Sequence, residues 1–411
     1  MKNLPDENPS NLKQRLPDAI SIDAPRGGYE KLYLFEKVFI FSRNLLFMIF
    51  SILSALLYMP LIYAMYFVVD LVPFSMEIKS VMNSYLKIFS HHFLLAIVSF
   101  LVPSKIYIAQ DTRIPDLDKG IIISNHLSDF DWLFILHYFQ SIGKLQHLSI
   151  IIKESFSKTP FIGYILKKMG HAFVKRTEDS GSSFQGFDSL RKRIETINKM
   201  AQGFMLIFPE GAFQHRSSIE KSIRHLEKYP YVFEDKLYVP DNVLTPRETG
   251  FNIIYEVFDS SEGIIDLTII PNPFTKRVGI FKNIVSHLLF GTREINFVIV
   301  ADYVEKGKFK ESPRYLQELF SRKDKLIARF EKLTLEKSEK GSDPYKISST
   351  QDLENLLLGH LPNSNYDYGS IEFYSPYWAI FAPIFILLFY FLAGFLIGNA
   401  IKLFSKQFSS N

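Results

Sequence analysis

Between Gly120 and Phe208 short apolar runs alternate with stretches of helical period, and this alternation constrains the fold more than any other feature. Gly120 to Asn125, Leu148 to Lys153, His171 to Lys175 and Phe204 to Phe208 are apolar runs of strand length. Asp129 to about Gln140 and Phe161 to Lys168 read as helical between them, and Leu190, Ile194, Ile197 and Met200 recur at helical spacing. That order predicts an α/β fold, a largely parallel sheet flanked by helices. Ligands of such sheets bind outside the carboxyl ends of the strands. Gly181-Ser182-Ser183 marks a loop. Later strands are expected at Leu267 to Ile270 and Ile295 to Val300, followed by a charged helix from about Pro313 to Lys337.

The flanks have a different character. Residues 1–30 are polar and interrupted by Pro5, Pro9, Pro17 and Pro25, so they predict a disordered cytosolic arm. From Asn44 to Val69 no charged residue occurs, a run longer than the roughly 20 residues needed to cross a bilayer. Pro60 falls inside it, which leaves a kinked transmembrane helix and a re-entrant hairpin both open. Lys31, Lys37 and Arg43 precede this run and Asp70 and Glu77 follow it, a bias that puts the N-terminal arm in the cytosol. The run lies too far from the start for a secretory signal. Phe93 to Val102 is too short to span and fits a membrane-surface or core helix. Phe373 to Ile401 is again uncharged, with Tyr377 and Trp378 near one end and Lys402 and Lys406 at the other, the flanks of a transmembrane helix. The expected organisation is therefore a membrane segment at 31–72, a catalytic domain at 73–336, a hydrophilic linker at 337–370 and a C-terminal membrane helix and tail at 371–411. A composition 47% hydrophobic but 22% charged suits a globular body carrying such segments.

Other classes are excluded. With no cysteine in 411 residues, disulfides, thiolate nucleophiles and cysteine zinc sites are ruled out. The remaining histidines show no spacing to acidic partners that suggests a metal site. A net charge of +4 is mild and argues against a nucleic-acid partner. Neither G-x-G-x-x-G nor the P-loop pattern occurs, so a nucleotide held by those loops is not indicated.

Chemistry-bearing residues cluster after the first apolar run. Ile121-Ile122-Ile123 leads into Asn125-His126-Leu127-Ser128-Asp129-Phe130-Asp131-Trp132. A histidine has the one side chain whose ordinary pKa, roughly 6.5, suits proton exchange near neutrality, and a neighbouring carboxylate fixes its tautomer. On one continuous helix, positions five apart diverge by about 140°, so the chain must turn between His126 and Asp131 for them to meet. Ser128 as a helix N-cap would provide that turn. The rival reading is structural: Ser128-x-x-Asp131 is also a capping box, in which Asp131 serves only the helix start. From these residues alone both readings stand.

Three further blocks follow in fixed order: Gly170-His171-Ala172-Phe173-Val174-Lys175-Arg176, Phe208-Pro209-Glu210-Gly211, and Thr245-Pro246-Arg247-Glu248-Thr249-Gly250-Phe251. In this order the chain resembles the glycerolipid acyltransferase superfamily over roughly residues 90 to 300. The His126–Asp131 stretch is similar to its histidine-x4-aspartate motif, the first of these blocks to its strand ending in arginine and the second to its phenylalanine-proline-glutamate-glycine motif. The third block and the hydrophobic ends look most like the lysophosphatidylinositol and lysocardiolipin acyltransferase branch. The resemblance implies acyl transfer from acyl-CoA, a co-substrate rather than a bound cofactor, to the free hydroxyl of a lysophospholipid. His126 would be the general base, Asp131 its holder, and Arg176, Glu210 and Gly211 the acceptor-binding residues. It also implies residence in the endoplasmic reticulum membrane, with the bilayer as a partner.

Each assignment has a plainer alternative. Arg176 could be a surface charge beside Glu178, and Glu210 a loop carboxylate paired with a lysine. The chain also departs from the common pattern, since Ala212 and Phe213 stand where many phosphatidic-acid-forming members have threonine and arginine. The departure favours lysophosphatidylinositol or a similar acceptor over lysophosphatidic acid, with Arg216 a possible substitute for the missing cation. A CoA-independent transacylase and a non-catalytic lipid-binding protein that retains the fold are the rival functions.

Overall fold

The computed structural model describes residues 33–101, 105–128, 131–174, 187–214, 216–233, 236–272, 296–312, 314–339, 347–358, 361 and 365–372. Two long helices, α1 (Leu34–Leu71) and α2 (Met76–Leu101), precede the body. The body's strands are β1 (Lys105–Asp111), β2 (Lys119–Ser124), β3 (Leu148–Lys153), β4 (Ala172–Val174), β5 (Gly203–Ile207), the short pair β6 (Val232–Phe233) and β7 (Lys236–Leu237), β8 (Gly263–Asn272), β9 (Asn296–Val304) and β10 (Tyr366–Glu372). Its helices are α3 (Asp131–Ser141), α4 (Ile162–Lys168), α5 (Asp188–Asn198), α6 (Arg216–Lys228), α7 (Glu248–Val257), α8 (Lys308–Glu311), α9 (Tyr315–Glu339) and α10 (Thr350–Leu357).

Eight strands form one sheet in the order β10-β1-β9-β8-β2-β5-β3-β4. Only the β1–β10 and β8–β9 pairings are antiparallel, and the other five are parallel. The expected α/β fold, a largely parallel sheet flanked by helices, is therefore present in its mixed form. The central strands are buried on both faces: all of β5 and β8 is buried. That explains their uninterrupted apolar runs, because a strand covered by helices on both sides has no polar face to alternate with.

One core packs α5, α7, α9 and α10 against one face of the sheet, around Leu190, Phe251, Phe320 and Leu357. A second packs α3 against the other face, around Phe134, Tyr138, Phe139 and Phe204. At roughly 1.5–3 kcal/mol per fully buried large apolar side chain, these two layers fix the strand ends that carry the site.

The structure departs from expectation at both flanks. The uncharged run 44–69 is helical throughout, Pro60 included, and the chain reverses only after Leu71 to form a hairpin with α2. Tyr58, Ile62, Tyr66 and Val69 pack against Leu86 and against Ile165 and Met169 of the body. Asp70 accepts from the Tyr164 hydroxyl at 2.6 Å and forms an ion pair with Lys168, fastening the hairpin's turn to α4. Among the described residues no helix is long and apolar enough to cross a membrane, so the expected N-terminal span is not met there. The expected C-terminal span at 373–401 and the disordered arm at 1–30 lie outside the described residues. The stretch 337–370, expected to be a linker, carries α10 and most of β10. Leu353 and Leu357 enter the core, and β10 pairs with β1 from Lys105↔Glu372 to Asp111↔Tyr366. Its polar composition is that of an edge strand with one solvated side.

Candidate active site

The buried run Gly120–Ser124 of β2 lies between β5 and β8 and ends at the carboxyl edge of the sheet. Asn125, fully buried, continues the ladder with its side chain. Its Nδ2 donates to the Ile269 carbonyl at 2.9 Å, and its Oδ1 accepts from the Ile269 amide at 2.8 Å. The chain is thus pinned to β8 at the residue before His126.

The turn that follows brings His126 and Asp131 together. His126 Nδ1 lies 2.9 Å from Asp131 Oδ2, with the carboxylate wholly buried and the imidazole 17% exposed. Asp131 also accepts from the Leu127 amide, from the Ser128 amide at 3.0 Å and from the Ser128 hydroxyl at 2.8 Å. Asp131 therefore makes the back-bond of a capping box and holds the imidazole at the same time, so the two sequence readings are not exclusive. The two amides and the hydroxyl all donate to Asp131, which places its carboxylate as an acceptor toward the imidazole as well. Nδ1 must then carry the proton, leaving the lone pair on Nε2. Two aromatic rings border the imidazole: Phe208 stacks at 4.3 Å and 22°, and Phe213 stands edge-on at 5.9 Å and 77°.

Glu210 is 2% exposed. One carboxylate oxygen accepts from the His126 amide and the other from the Leu244 amide, each at 3.0 Å. Burial raises its pKa well above the usual carboxylate range, against the opposing pull of those two amides. Glu210 is thus a brace between the His126 turn and the 243–247 segment. Glu210→Gln, which turns an NH2 toward one of the two amides, should cost about 1–3 kcal/mol in urea denaturation. A loss within about 0.3 kcal/mol would remove the brace.

Gly211 completes the turn at φ 70°, a left-handed conformation that glycine adopts without penalty. Its N–H donates to the Phe208 carbonyl at 3.0 Å. Arg176 lies outside the described residues, as does the side chain of Arg216, at whose position α6 begins. No group of three or more histidine and acidic side chains that could hold a metal ion occurs among the described residues.

Sequence reasoning gave no role to Asn125, Phe208 or Leu244, nor to the 245–251 block beyond a family likeness. The block packs directly on the site turn. Arg247 N–H donates to the Pro209 carbonyl at 2.8 Å, and Thr245 is tied to Ser222 of α6 through its amide and hydroxyl, each at 2.9 Å. The local signal was the proline-arginine pair just ahead of a helical apolar period, which marks a helix start.

Residues 105–271 match the Acyltransferase family model, a range that contains every site residue above. Lysocardiolipin acyltransferase 1 of Danio rerio is 26% identical over 215 residues, 49% of this chain and 49% of that protein. The Gallus gallus protein of that name is 26% identical over 182 residues, 42% and 44%. A probable 1-acyl-sn-glycerol-3-phosphate acyltransferase 5 of Arabidopsis thaliana is 23% identical over 159 residues, 38% and 40%. The chain thus spans less than half the length of each of these relatives. A crystal structure of the 1-acyl-sn-glycerophosphate acyltransferase of Thermotoga maritima covers 71% of this chain and 96% of its own, at 17% identity and a TM-score of 0.41, a loose correspondence of backbones.

Proposed function

From a chain that carries an acyltransferase-family domain at residues 105–271, we propose a membrane-bound acyl-CoA:lysophospholipid O-acyltransferase. The observation that carries this reading is the imidazole of His126, held through Nδ1 by a wholly buried Asp131 while the ring itself stays 17% exposed, so that Nε2 is not taken up by that contact. Nε2 takes the proton from the acceptor's glycerol hydroxyl as its oxygen attacks the thioester carbonyl. The tetrahedral intermediate collapses, the carbon–sulfur bond breaks, and the imidazolium returns the proton to the departing CoA thiolate. No covalent acyl-enzyme forms, so a chain without cysteine is suited to the step. Glu210 and Gly211 shape the turn beside the imidazole, and Arg176 is assigned to the acceptor phosphate.

Membrane residence is supported by the hairpin. Leu46, Ile49, Leu53, Leu56, Phe67 and Val68 of α1 expose their side chains, an apolar surface that a bilayer would cover. Substrates with long acyl chains partition into the same bilayer at about 0.8 kcal/mol per methylene. The endoplasmic reticulum is the location this reading expects, and lysophosphatidylinositol or a similar lysophospholipid the favoured acceptor, with lysophosphatidic acid next.

The test supplies purified protein with labelled acyl-CoA and a panel of lysophospholipids in vesicles. Transfer to at least one acceptor, strictly dependent on acyl-CoA, is the expected result. Transfer from a phospholipid donor alone would make the protein a transacylase. Lipid binding without any transfer would overturn the enzymatic reading.

A further inference from the structure

The groups in contact with the imidazole offer no cation to an anionic substrate. Asp131 and Glu210 are both acids, and the ring walls, Phe208 and Phe213, are apolar. At positions 212 and 213 alanine and phenylalanine provide neither a hydroxyl nor a cation. A phosphate-bearing acceptor approaching Nε2 would therefore need a cation from another segment.

Arg247 is placed to be that cation. Its backbone is latched to the site turn through the Pro209 carbonyl at 2.8 Å. A methyl group built on Gly211 would lie 3.6 Å from Arg247 Cδ and 3.8 Å from Nε, so the arginine's stem runs alongside the glycine. The residue is solvent-exposed, and its guanidinium has no hydrogen bond or ion pair among the described residues. Three residues earlier, the Leu244 amide shares the Glu210 carboxylate with the His126 amide. Arginine and imidazole thus stand on segments joined by one buried side chain.

We propose that Arg247 binds the phosphate of the lysophospholipid acceptor in addition to Arg176, supplying from the 243–247 segment a second cation next to the His126 turn. A guanidinium offers paired N–H donors that match two phosphate oxygens, a geometry lysine lacks. The identity of the acceptor rests on the acyl-transfer reading; the preference for phosphate does not.

The test therefore measures binding and turnover separately on the full chain. Binding of 1-acyl-glycerol-3-phosphate is compared with binding of the monoacylglycerol of the same chain length, for the parent, Arg247→Ala and Arg247→Lys. The parent should prefer the phosphate ligand. Arg247→Ala should weaken that ligand by about tenfold or more, the scale of a charge-assisted hydrogen bond, and leave the monoacylglycerol unchanged. Arg247→Lys, which keeps the stem against Gly211, should fall between. In turnover the acceptor KM should rise by a similar factor while the acyl-CoA KM stays put. Equal binding by parent and Arg247→Ala, a parent with no preference for phosphate, or an equal loss for both ligands would each overturn the assignment. If Arg247 governs phosphate binding but no acyl group is transferred, the acyl-transfer reading falls and the Arg247 site stands.

Discussion

Replacing His126 with alanine should lower the proposed acyl transfer at least ~100-fold, the lower end of what general-base catalysis contributes, with little change in folding. The imidazole's backbone amide, not its ring, carries the contact to Glu210, so the brace survives the substitution. The ring is partly exposed against Phe208 and Phe213, and its removal opens space toward solvent rather than a sealed cavity. Asp131→Asn separates the two roles of that residue. An asparagine amide turned toward Nδ1 would favour the tautomer with its proton on Nε2, where it blocks the step, a fault worth about 10⁴-fold in hydrolases that use a comparable pair. The same change disturbs the bonds from the Leu127 and Ser128 amides and the Ser128 hydroxyl. It should therefore lower stability as well as rate, whereas His126→Ala lowers rate alone. Rates at saturating acyl-CoA, read beside urea midpoints, test both; parental turnover by His126→Ala would sink its role as the base.

What the sequence made legible follows from where the sheet is covered. Strands β2 and β5 are buried runs and β3 is buried over its first half, all three bounded by polar turns, and their limits were read to within a residue. β10 escaped because Tyr366–Glu372 is an edge strand of alternating exposure whose residues suit a loop equally well. Helix α6 carried a usable signal in Ile219, Ile223 and Leu226 at helical spacing, masked by the polar residues between them. In the site, the His126–Asp131 contact was accessible because five residues and one turn separate the partners. The Asn125–Ile269 exchange and the Glu210–Leu244 bond join positions 144 and 34 residues apart. No local pattern announces such contacts, since only the sheet order brings those segments together.

Removing the cation of Lys323 should destabilise the protein by about 3–5 kcal/mol, the usual cost of breaking a buried ion pair from one side. Asp266 of β8 and Asp302 of β9 sit directly opposite each other in the antiparallel register, a cross-strand placement that like charges disfavour. Lys323 Nζ, from α9, reaches Asp266 Oδ1 at 2.5 Å and the Leu267 carbonyl at 2.6 Å, with side chains only 1% and 4% exposed. Asp302 accepts from the Tyr366 hydroxyl. Its pKa is pushed up to about 6, first by lost hydration and then by the charge of Asp266, and burial raises Asp266 too, against the pull of Lys323. The folded state thus holds a proton on Asp302 that the unfolded chain, with its pKa near 4, has already released. Its contribution to stability is fully present below about pH 4 and is lost as pH rises through about 6. In Lys323→Met the stranded Asp266 carboxyl should behave the same way, so the deficit against the parent should be large at pH 7.5 and shrink at pH 5. Adding Asp266→Asn to Lys323→Met should recover most of the loss at pH 7.5, because a neutral amide removes the unpaired charge. Urea denaturation of the three proteins at both pH values decides the matter, and a deficit below about 1 kcal/mol, or one indifferent to pH, would refute it. The consequence reaches the active site through register: Asp266 pairs with Ile123 and Leu267 with Ser124, the strand end from which Asn125 and His126 emerge. A variant that loosens this end should lose the proposed transferase activity at temperatures below its melting transition, whereas one repaired by Asp266→Asn should not.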